Sequence, residues 1–173
     1  MKGKGEQGFT LIELLIVVAI ISIIAAIAVP GLLRARMTGN ETSAIASLKV
    51  TTSSQVMYSA SCGNGGYAAT YTVLGTAPAA GGEGFISQDL GAASNVKSGF
   101  TVTMAASGTA ITGVTSCGAA AAAVYPDYLA TGTPLSTSTG GRAFGTNAGG
   151  AIYSKNGITV LTSADLVAAN VLK

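Results

Sequence analysis

The chain has 173 residues, the length of one ordinary domain. Charged residues make up 9% of it and the net charge is +2, whereas a typical globular protein has about 25% charged residues. This composition argues against a basic nucleic-acid-binding protein. The absence of histidine excludes His-dependent catalytic triads and removes the commonest neutral metal ligand. We therefore expect no catalytic residues, no metal and no cofactor, and we expect part of the chain to lie in a membrane or inside an assembly.

The strongest hydrophobicity lies in one segment, residues 9–33, in which Ser22 is the only polar residue between positions 14 and 29. As a helix with a rise of about 1.5 Å per residue, the segment is long enough to cross a hydrocarbon core of about 30 Å. Lys2 and Lys4 precede it, and a positive flank holds an N-terminus in the cytoplasm. The sequence therefore predicts a single membrane-spanning helix with the rest of the chain outside.

Two kinds of processing compete for this segment. Ala26-Ile27-Ala28 matches the small-residue pattern of an ordinary signal-peptide cleavage site. However, Glu13 lies within the apolar segment, where an acidic residue costs about 2.5 to 3.5 kcal/mol. An intramembrane carboxylate indicates a functional residue with a partner. Cleavage between Gly8 and Phe9 would create that partner, because the new α-amino group would lie one helical turn before Glu13.

The residues Gly8-Phe9-Thr10-Leu11-Ile12-Glu13-Leu14, after a short basic leader and before an apolar helix, resemble the N-terminus of type IV pilins and the related pseudopilins. The resemblance implies that a prepilin peptidase cuts after Gly8 and N-methylates Phe9. It also assigns Thr10 and Glu13 to assembly, in which the carboxylate of Glu13 pairs with the N-terminal amine of a neighbouring subunit.

The resemblance further implies a structural protein rather than an enzyme. Its copies would be stored as single-pass membrane proteins and polymerised into a helical filament by an inner-membrane assembly platform, to form an extracellular pilus. Two alternatives remain: a minor pilin or type II secretion pseudopilin built on the same helix, and a secreted or anchored domain of another class. Motility, adhesion, DNA uptake and secretion all stay open as uses of the filament.

The chain is predicted to have four regions: a leader at 1–8, the membrane and assembly half of a long helix at 9–33, an amphipathic half at 34–61, and a globular head at 62–173. Pro30 cannot donate a backbone hydrogen bond, and its ring crowds the carbonyl of Ala26, so we expect the helix to kink or open there. Gly31 should make this opening easier. Gly39 predicts a second bend.

The outer half of the helix is predicted to pack one face on a sheet. The residues predicted for that face recur at helical spacing: Ile45, Leu48, Thr52 and Val56. Glu41 is placed on another face. We expect the helix to end near Cys62, where a run of glycines begins.

The rest of the chain is rich in Gly, Ala, Ser and Thr and has short β-like runs separated by turn signals, which predicts an antiparallel sheet and an α+β fold. The predicted strands are 100–104, 110–114, 120–125, 142–146, 151–153 and 158–161. Asn156-Gly157 predicts a hairpin turn, and residues 131–139 predict a polar loop.

Cys62 and Cys117 are the two cysteines of the chain. If the head lies outside the membrane, both are in an oxidising compartment, which favours a disulfide. Two free thiols are the alternative. A zinc site would need further ligands that histidines or nearby acidic residues do not supply.

Overall fold

The structure is a computed structural model that describes residues 8–91, 95–118, 121–168 and 170–172. The chain divides into two compact units, Met1–Arg36 and Met37–Lys173. A long helix is followed by short helices and antiparallel strands, which confirms the predicted α+β class. The predicted leader lies outside the described residues except for Gly8.

The long helix, α1, spans Leu11–Ser61. Its end confirms the predicted boundary at Cys62. The helix is assigned without a break through Pro30, Gly31 and Gly39. The opening expected at these residues therefore stays a prediction about the assembled state, where neighbouring helices could replace the lost backbone hydrogen bond.

In the described residues of the head, eight strands and three short helices follow α1. In chain order they are β1 (Tyr67–Ala68), α2 (Tyr71–Gly75), α3 (Gln88–Gly91), β2 (Val96–Lys97), β3 (Phe100–Ser107), β4 (Val124–Tyr125), β5 (Asp127–Pro134), β6 (Arg142–Asn147), β7 (Ile152–Asn156), α4 (Ser163–Ala168) and β8 (Asn170–Val171). The main sheet has the order β2-β3-β5-β6-β7-β8, with antiparallel neighbours throughout, and β1 pairs with β4 in a separate ribbon.

The core of the head lies between the outer part of α1 and one face of the sheet. Leu48 of α1 is fully buried together with Phe100 of β3 and Phe144 of β6. On the same face, Gly132 of β5 lies opposite Ala44 of α1, and a Cβ added at Gly132 would be in ordinary van der Waals contact, 3.6 Å from the Cβ of Ala44. A second, smaller apolar cluster includes Ala143, Leu161 and Leu166, so the C-terminal segment contributes a core of its own.

The buried face of α1 differs from the predicted one. Leu48 is buried as expected, but Val56 is 56% exposed and Glu41 is buried. The buried side chains of α1 are instead a mixture of polar and apolar groups: Glu41, Ala44, Ser47, Leu48, Thr51, Ser54, Gln55 and Tyr58. The prediction was wrong because it assumed an apolar buried face, whereas several of these polar groups find hydrogen-bond partners inside the protein.

Several strand predictions were correct and others were not. The cores of β3, β6 and β7 lie where predicted, and residues 147–150 form the turn between β6 and β7, with Gly150 at a φ of 74°. Residues 110–114 and 158–161 are not strands, and the predicted strand 120–125 is reduced to Val124–Tyr125, with residue 120 outside the described residues. The predicted loop 131–139 was also wrong in its first part, since β5 continues to Pro134.

The predicted Asn156-Gly157 hairpin does not form. The backbone N–H of Gly157 donates to the carbonyl of Gly141 (2.9 Å), and the chain then leaves the sheet. β7 pairs instead with β8, further along the chain. The segment after Gly157 packs on the head through Leu161, which is buried in the second apolar cluster.

Candidate functional site at the start of helix α1

The three residues before α1 are non-helical and exposed. Gly8, Phe9 and Thr10 carry no helical assignment, and the side chain of Phe9 is 92% exposed. The bond between Gly8 and Phe9, at which cleavage is predicted, therefore lies two residues outside the helix. A peptidase can therefore reach this bond without unwinding α1.

Helix α1 begins with a capping box formed by Thr10 and Glu13. The Thr10 hydroxyl donates to Oε2 of Glu13 (2.6 Å), and the Thr10 backbone N–H donates to the same oxygen (2.9 Å). In return, the backbone N–H of Glu13 donates to the Thr10 hydroxyl (3.3 Å). Each side chain satisfies a backbone donor that the helix itself leaves free. A Thr followed three residues later by a Glu is the sequence signal of a capping box, although the sequence analysis above did not predict one.

The apolar segment that follows the cap is exposed along its whole length. Every Leu, Ile and Val from Leu11 to Leu33 is at least 49% exposed. α1 is the one helix in the described part of the chain that is long and apolar enough to cross a membrane. The Ser22 hydroxyl donates to the carbonyl of Val18 (2.8 Å). This polar side chain is therefore satisfied within the helix and needs no water.

The helix carries Gly31 and Gly39 where no local contact requires glycine. A Cβ added at either position would meet no heavy atom within 4 Å, and neither residue has a positive φ. Glycine in a helix costs about 1 kcal/mol relative to alanine. Packing within the described residues does not account for these glycines, so the predicted role of this stretch in opening or bending remains a prediction.

The predicted disulfide is confirmed: Cys62 and Cys117 are bonded, 55 residues apart in the chain. The bond joins the residue after α1 to the segment between β3 and β4. The backbone N–H of Cys117 also donates to the carbonyl of Cys62 (3.0 Å). The end of α1 is therefore held to the head by a covalent bond and a hydrogen bond.

Glu41 fixes α1 to the sheet, a role that the sequence did not suggest. Its Oε1 accepts from the backbone N–H of Gly141 (3.0 Å), and its Oε2 accepts from Nη2 (2.7 Å) and Nε (3.1 Å) of Arg142. The Arg142 guanidinium also lies over the ring of Phe144, 5.4 Å from its centre. The negative charge of Glu41 is thus paired and hydrogen-bonded, as a buried carboxylate must be.

Gln55 forms a second polar link between α1 and the head. Its side-chain amide donates to the carbonyl of Ala68 (2.8 Å), and its Oε1 accepts from the backbone N–H of Ala68 (2.9 Å). The side chain is fully buried. Gln55 therefore binds β1 as a neighbouring strand would. One turn earlier, Thr51 shares a hydrogen bond with the hydroxyl of Tyr71 (2.8 Å), and burial raises the pKa of Tyr71 to about 12.

The C-terminal part of the head is held by Asp165. Lys155 Nζ donates to Oδ1 of Asp165 (2.7 Å), and both the backbone N–H and the hydroxyl of Thr162 donate to Oδ2. These hydrogen bonds, that of Lys155 first, lower the pKa of Asp165 to about 2. Among the described residues, no group of three or more Cys, Asp or Glu side chains is placed to hold a metal ion.

Comparisons with known proteins found a matching family motif and a similar protein. The family described as "Prokaryotic N-terminal methylation motif" matches residues 3–29. The type IV wide pilus major component PilA4 of Thermus thermophilus is 51% identical over 55 residues, which are 32% of this chain and 42% of that protein. The match thus spans less than half of the relative. No solved structure matches the chain. The two matches support a type IV pilin and confirm the resemblance seen in the motif.

Proposed function

We propose that this type IV pilin is the structural subunit of a filament, and that it polymerises through the apolar part of α1 after its leader is removed. The observation that carries the proposal is the exposed apolar surface from Leu11 to Leu33, which begins two residues after the predicted cleavage site and includes Glu13 in its first turn. An exposed apolar surface of this length needs either lipid or other helices around it.

The proposed sequence of events begins with a membrane-inserted precursor. A prepilin peptidase cleaves between Gly8 and Phe9 and methylates the new amine. The assembly platform then moves the subunit from lipid into a bundle of identical helices, where the same apolar surface is covered by other copies. In this scheme residues 9–33 serve in turn as membrane anchor and filament core, and residues 62–173 form the extracellular head.

In this transfer the carboxylate of Glu13 attracts the N-terminal amine of another subunit. In the bundle it is the acidic side chain of an otherwise apolar segment, and the cleaved amine of another copy is a cation at the same depth. At an effective dielectric constant of 20, two unit charges about 4 Å apart attract by about 4 kcal/mol before desolvation. No catalysis is expected of the chain.

Two measurements on sheared surface filaments test the proposal. Electron microscopy should show filaments on cells that carry the gene and none on cells that lack it. Intact-mass spectrometry of the filament protein should give a chain that starts at N-methylated Phe9. A mature terminus at Val29 would instead mean ordinary secretion through the Ala26-Ile27-Ala28 site, and the proposal would be wrong.

A further inference from the structure

We propose that Arg34 and Arg36 bind the phosphate groups of anionic phospholipids in the outer leaflet of the membrane, and that they hold the subunit at a fixed depth before assembly. The inference rests on the proposed function, because it concerns the membrane-held stage of the same chain. It starts from two exposed arginines that directly follow the apolar segment and for which the proposed function gives no role.

The two arginines lie at the end of the membrane helix where basic residues are uncommon. Lysines and arginines that flank a membrane helix are concentrated on its cytoplasmic side. In the proposed orientation Lys2 and Lys4 already occupy that side. A pair of arginines at the opposite end runs against this bias, and it therefore calls for a partner of opposite charge at that end.

The chain itself supplies no carboxylate for Arg36. Among the described residues, Arg36 forms no ion pair. Three basic residues of the main sheet do pair with carboxylates of the same chain: Lys97, Arg142 and Lys155. A guanidinium has five N–H donors, and two of them can bind two oxygens of one phosphate at once. A phosphate from outside the chain is therefore a suitable partner.

The position of the arginines along α1 matches the depth of lipid phosphates. At a rise of about 1.5 Å per residue, the helix from Leu11 to Leu33 is about 33 Å long, and the hydrocarbon core of a bilayer is about 30 Å thick. The headgroup layer on each side adds about 5 to 8 Å. Arg34 and Arg36 follow Leu33 by about 2 and 5 Å along the helix axis, so both fall within the outer headgroup layer.

The two arginines also lie on opposite sides of the helix. Residues two positions apart are separated by about 200° around the axis, so Arg34 and Arg36 bind separate lipids. Movement of the helix toward the cytoplasm would draw the charged groups into hydrocarbon, and movement outward would break their phosphate contacts and expose apolar side chains to water. The depth of the helix is therefore fixed in both directions, and with it the depth of the Gly8–Phe9 bond.

Lipid selectivity at the outer end of the helix tests the inference. The chain contains no tryptophan, so Leu33→Trp introduces a single fluorescent probe one residue before Arg34. The full chain with this probe is reconstituted into vesicles of phosphatidylglycerol and phosphatidylcholine, in which one lipid or the other carries bromine. Bromine quenches tryptophan at short range only, so the quenching gives the relative binding of the two lipids beside the probe.

Three further variants are made on this background. Arg34→Gln and Arg36→Gln, singly and together, remove the charges while keeping a polar side chain. Lys49→Gln is the matched control, because it changes the net charge by the same amount at an exposed position of α1 that lies about 24 Å beyond Leu33 along the helix axis. That distance places Lys49 outside the headgroup layer.

The parent chain should prefer phosphatidylglycerol by about fivefold for each arginine, the order of effect of one basic residue near an anionic surface. Each single variant should lose about fivefold, the double variant should show no preference, and Lys49→Gln should match the parent. An unchanged preference in the double variant, or an equal loss in Lys49→Gln, overturns the inference. So does a preference that disappears in phosphate buffer but not in chloride buffer of the same ionic strength, since this would indicate a site for soluble anions.

Failure of the proposed function would look different. If neither brominated lipid quenches the introduced tryptophan of the parent chain, the helix does not enter the bilayer at all, and the membrane-held stage of the proposed function is wrong. If both lipids quench it equally well, the helix is inserted and the arginines do not select anionic lipid, so the inference alone is wrong.

Discussion

The two parts of helix α1 place polar and apolar side chains in opposite ways. From Leu11 to Leu33 the apolar side chains are exposed, whereas from Glu41 to Tyr58 the helix buries several polar ones. The outer part has its partner within the chain, because the sheet and β1 supply hydrogen bonds for Glu41, Thr51 and Gln55. The inner part exposes a surface that only lipid or other chains can cover. Helix α1 is therefore suited to two environments: its outer part packs within the head, and its inner part needs lipid or other chains around it.

This contrast predicts that the two parts can be damaged independently. The largest effect should come from Glu13→Ala, which removes the proposed partner of the incoming amine. We expect this variant to be inserted and cleaved at Gly8 and to accumulate in the membrane without forming filaments. Electron microscopy and the mass of the membrane-held chain measure both properties.

Glu13→Asp is the companion variant, because it keeps the charge but shortens its reach; it should assemble poorly or not at all. The thermal unfolding of the head in detergent should be the same for wild type and both variants, since residue 13 does not belong to the head. Normal numbers of filaments made of Glu13→Ala subunits alone would contradict the role of the carboxylate.

The second largest effect should come from loss of the disulfide, which acts on the head alone. The Cys62–Cys117 bond closes a loop of 55 residues, and in the chain-entropy model such a bond stabilises the fold by about 4 kcal/mol. Cys62→Ser with Cys117→Ser should lower the free energy of unfolding by this order, as measured by urea titration of the full chain in detergent.

The matched control for this pair is reduction of the wild-type chain, which should give a similar loss without changing any residue. Membrane insertion and cleavage at Gly8 should be unaffected in the double variant. An unfolding midpoint identical to that of the oxidised wild type would show that the bond contributes little.

A third test probes the polar face of the outer part of α1. Gln55→Leu keeps the volume of the side chain but leaves the backbone N–H and C=O of Ala68 without their partners. An unsatisfied buried polar group costs about 1 to 3 kcal/mol, so we expect a loss of about 3 kcal/mol in the urea titration. Met57→Leu is the control on the same helix, because Met57 is 59% exposed; it should leave the midpoint unchanged. A similar shift in both variants would contradict the paired role of Gln55.

The sequence predicted features that depend on local signals. The end of α1 was found because glycines follow Cys62, and β3 was found because Phe100, Val102 and Met104 alternate with polar residues. The capping box could have been found as well, since Thr10 and Glu13 have its spacing. The disulfide followed from the orientation of the membrane helix and the presence of two cysteines.

The predictions that were wrong concern residues whose contacts are with partners distant in the chain. β5 contains Gly132 and ends at Pro134, so its composition indicates a loop, yet pairing with β3 and β6 on both sides makes it a central strand. The buried face of α1 was misjudged because the pairing of Gln55 with Ala68 and of Glu41 with Arg142 cannot be seen in helical periodicity. A polar residue becomes a core residue only when the rest of the fold supplies its partner.

The smallest effect should be an acid-dependent loss of stability in the C-terminal part of the head, at Asp165. Its folded pKa of about 2 lies below the usual value of about 3.9 for an unfolded chain. Because the folded pKa is the lower one, the stabilisation is fully present above about pH 4 and is lost as the pH falls to about 2.

The difference in unfolding temperature between wild type and Asp165→Asn should therefore be constant from pH 7 to about 5 and should shrink below pH 4. Lys155→Met removes the first cause of the lowered pKa but keeps the hydrogen bonds from Thr162, so its folded pKa should lie closer to the unfolded one, and its acid-dependent loss of stability should be smaller and should end at a higher pH. Circular dichroism melts of the three proteins in detergent, at pH values between 7 and 2, measure these differences, and a gap between wild type and Asp165→Asn that stays constant down to pH 2 would contradict the assignment. Since this ion pair lies wholly within the head, filament assembly at neutral pH should be the same for all three chains.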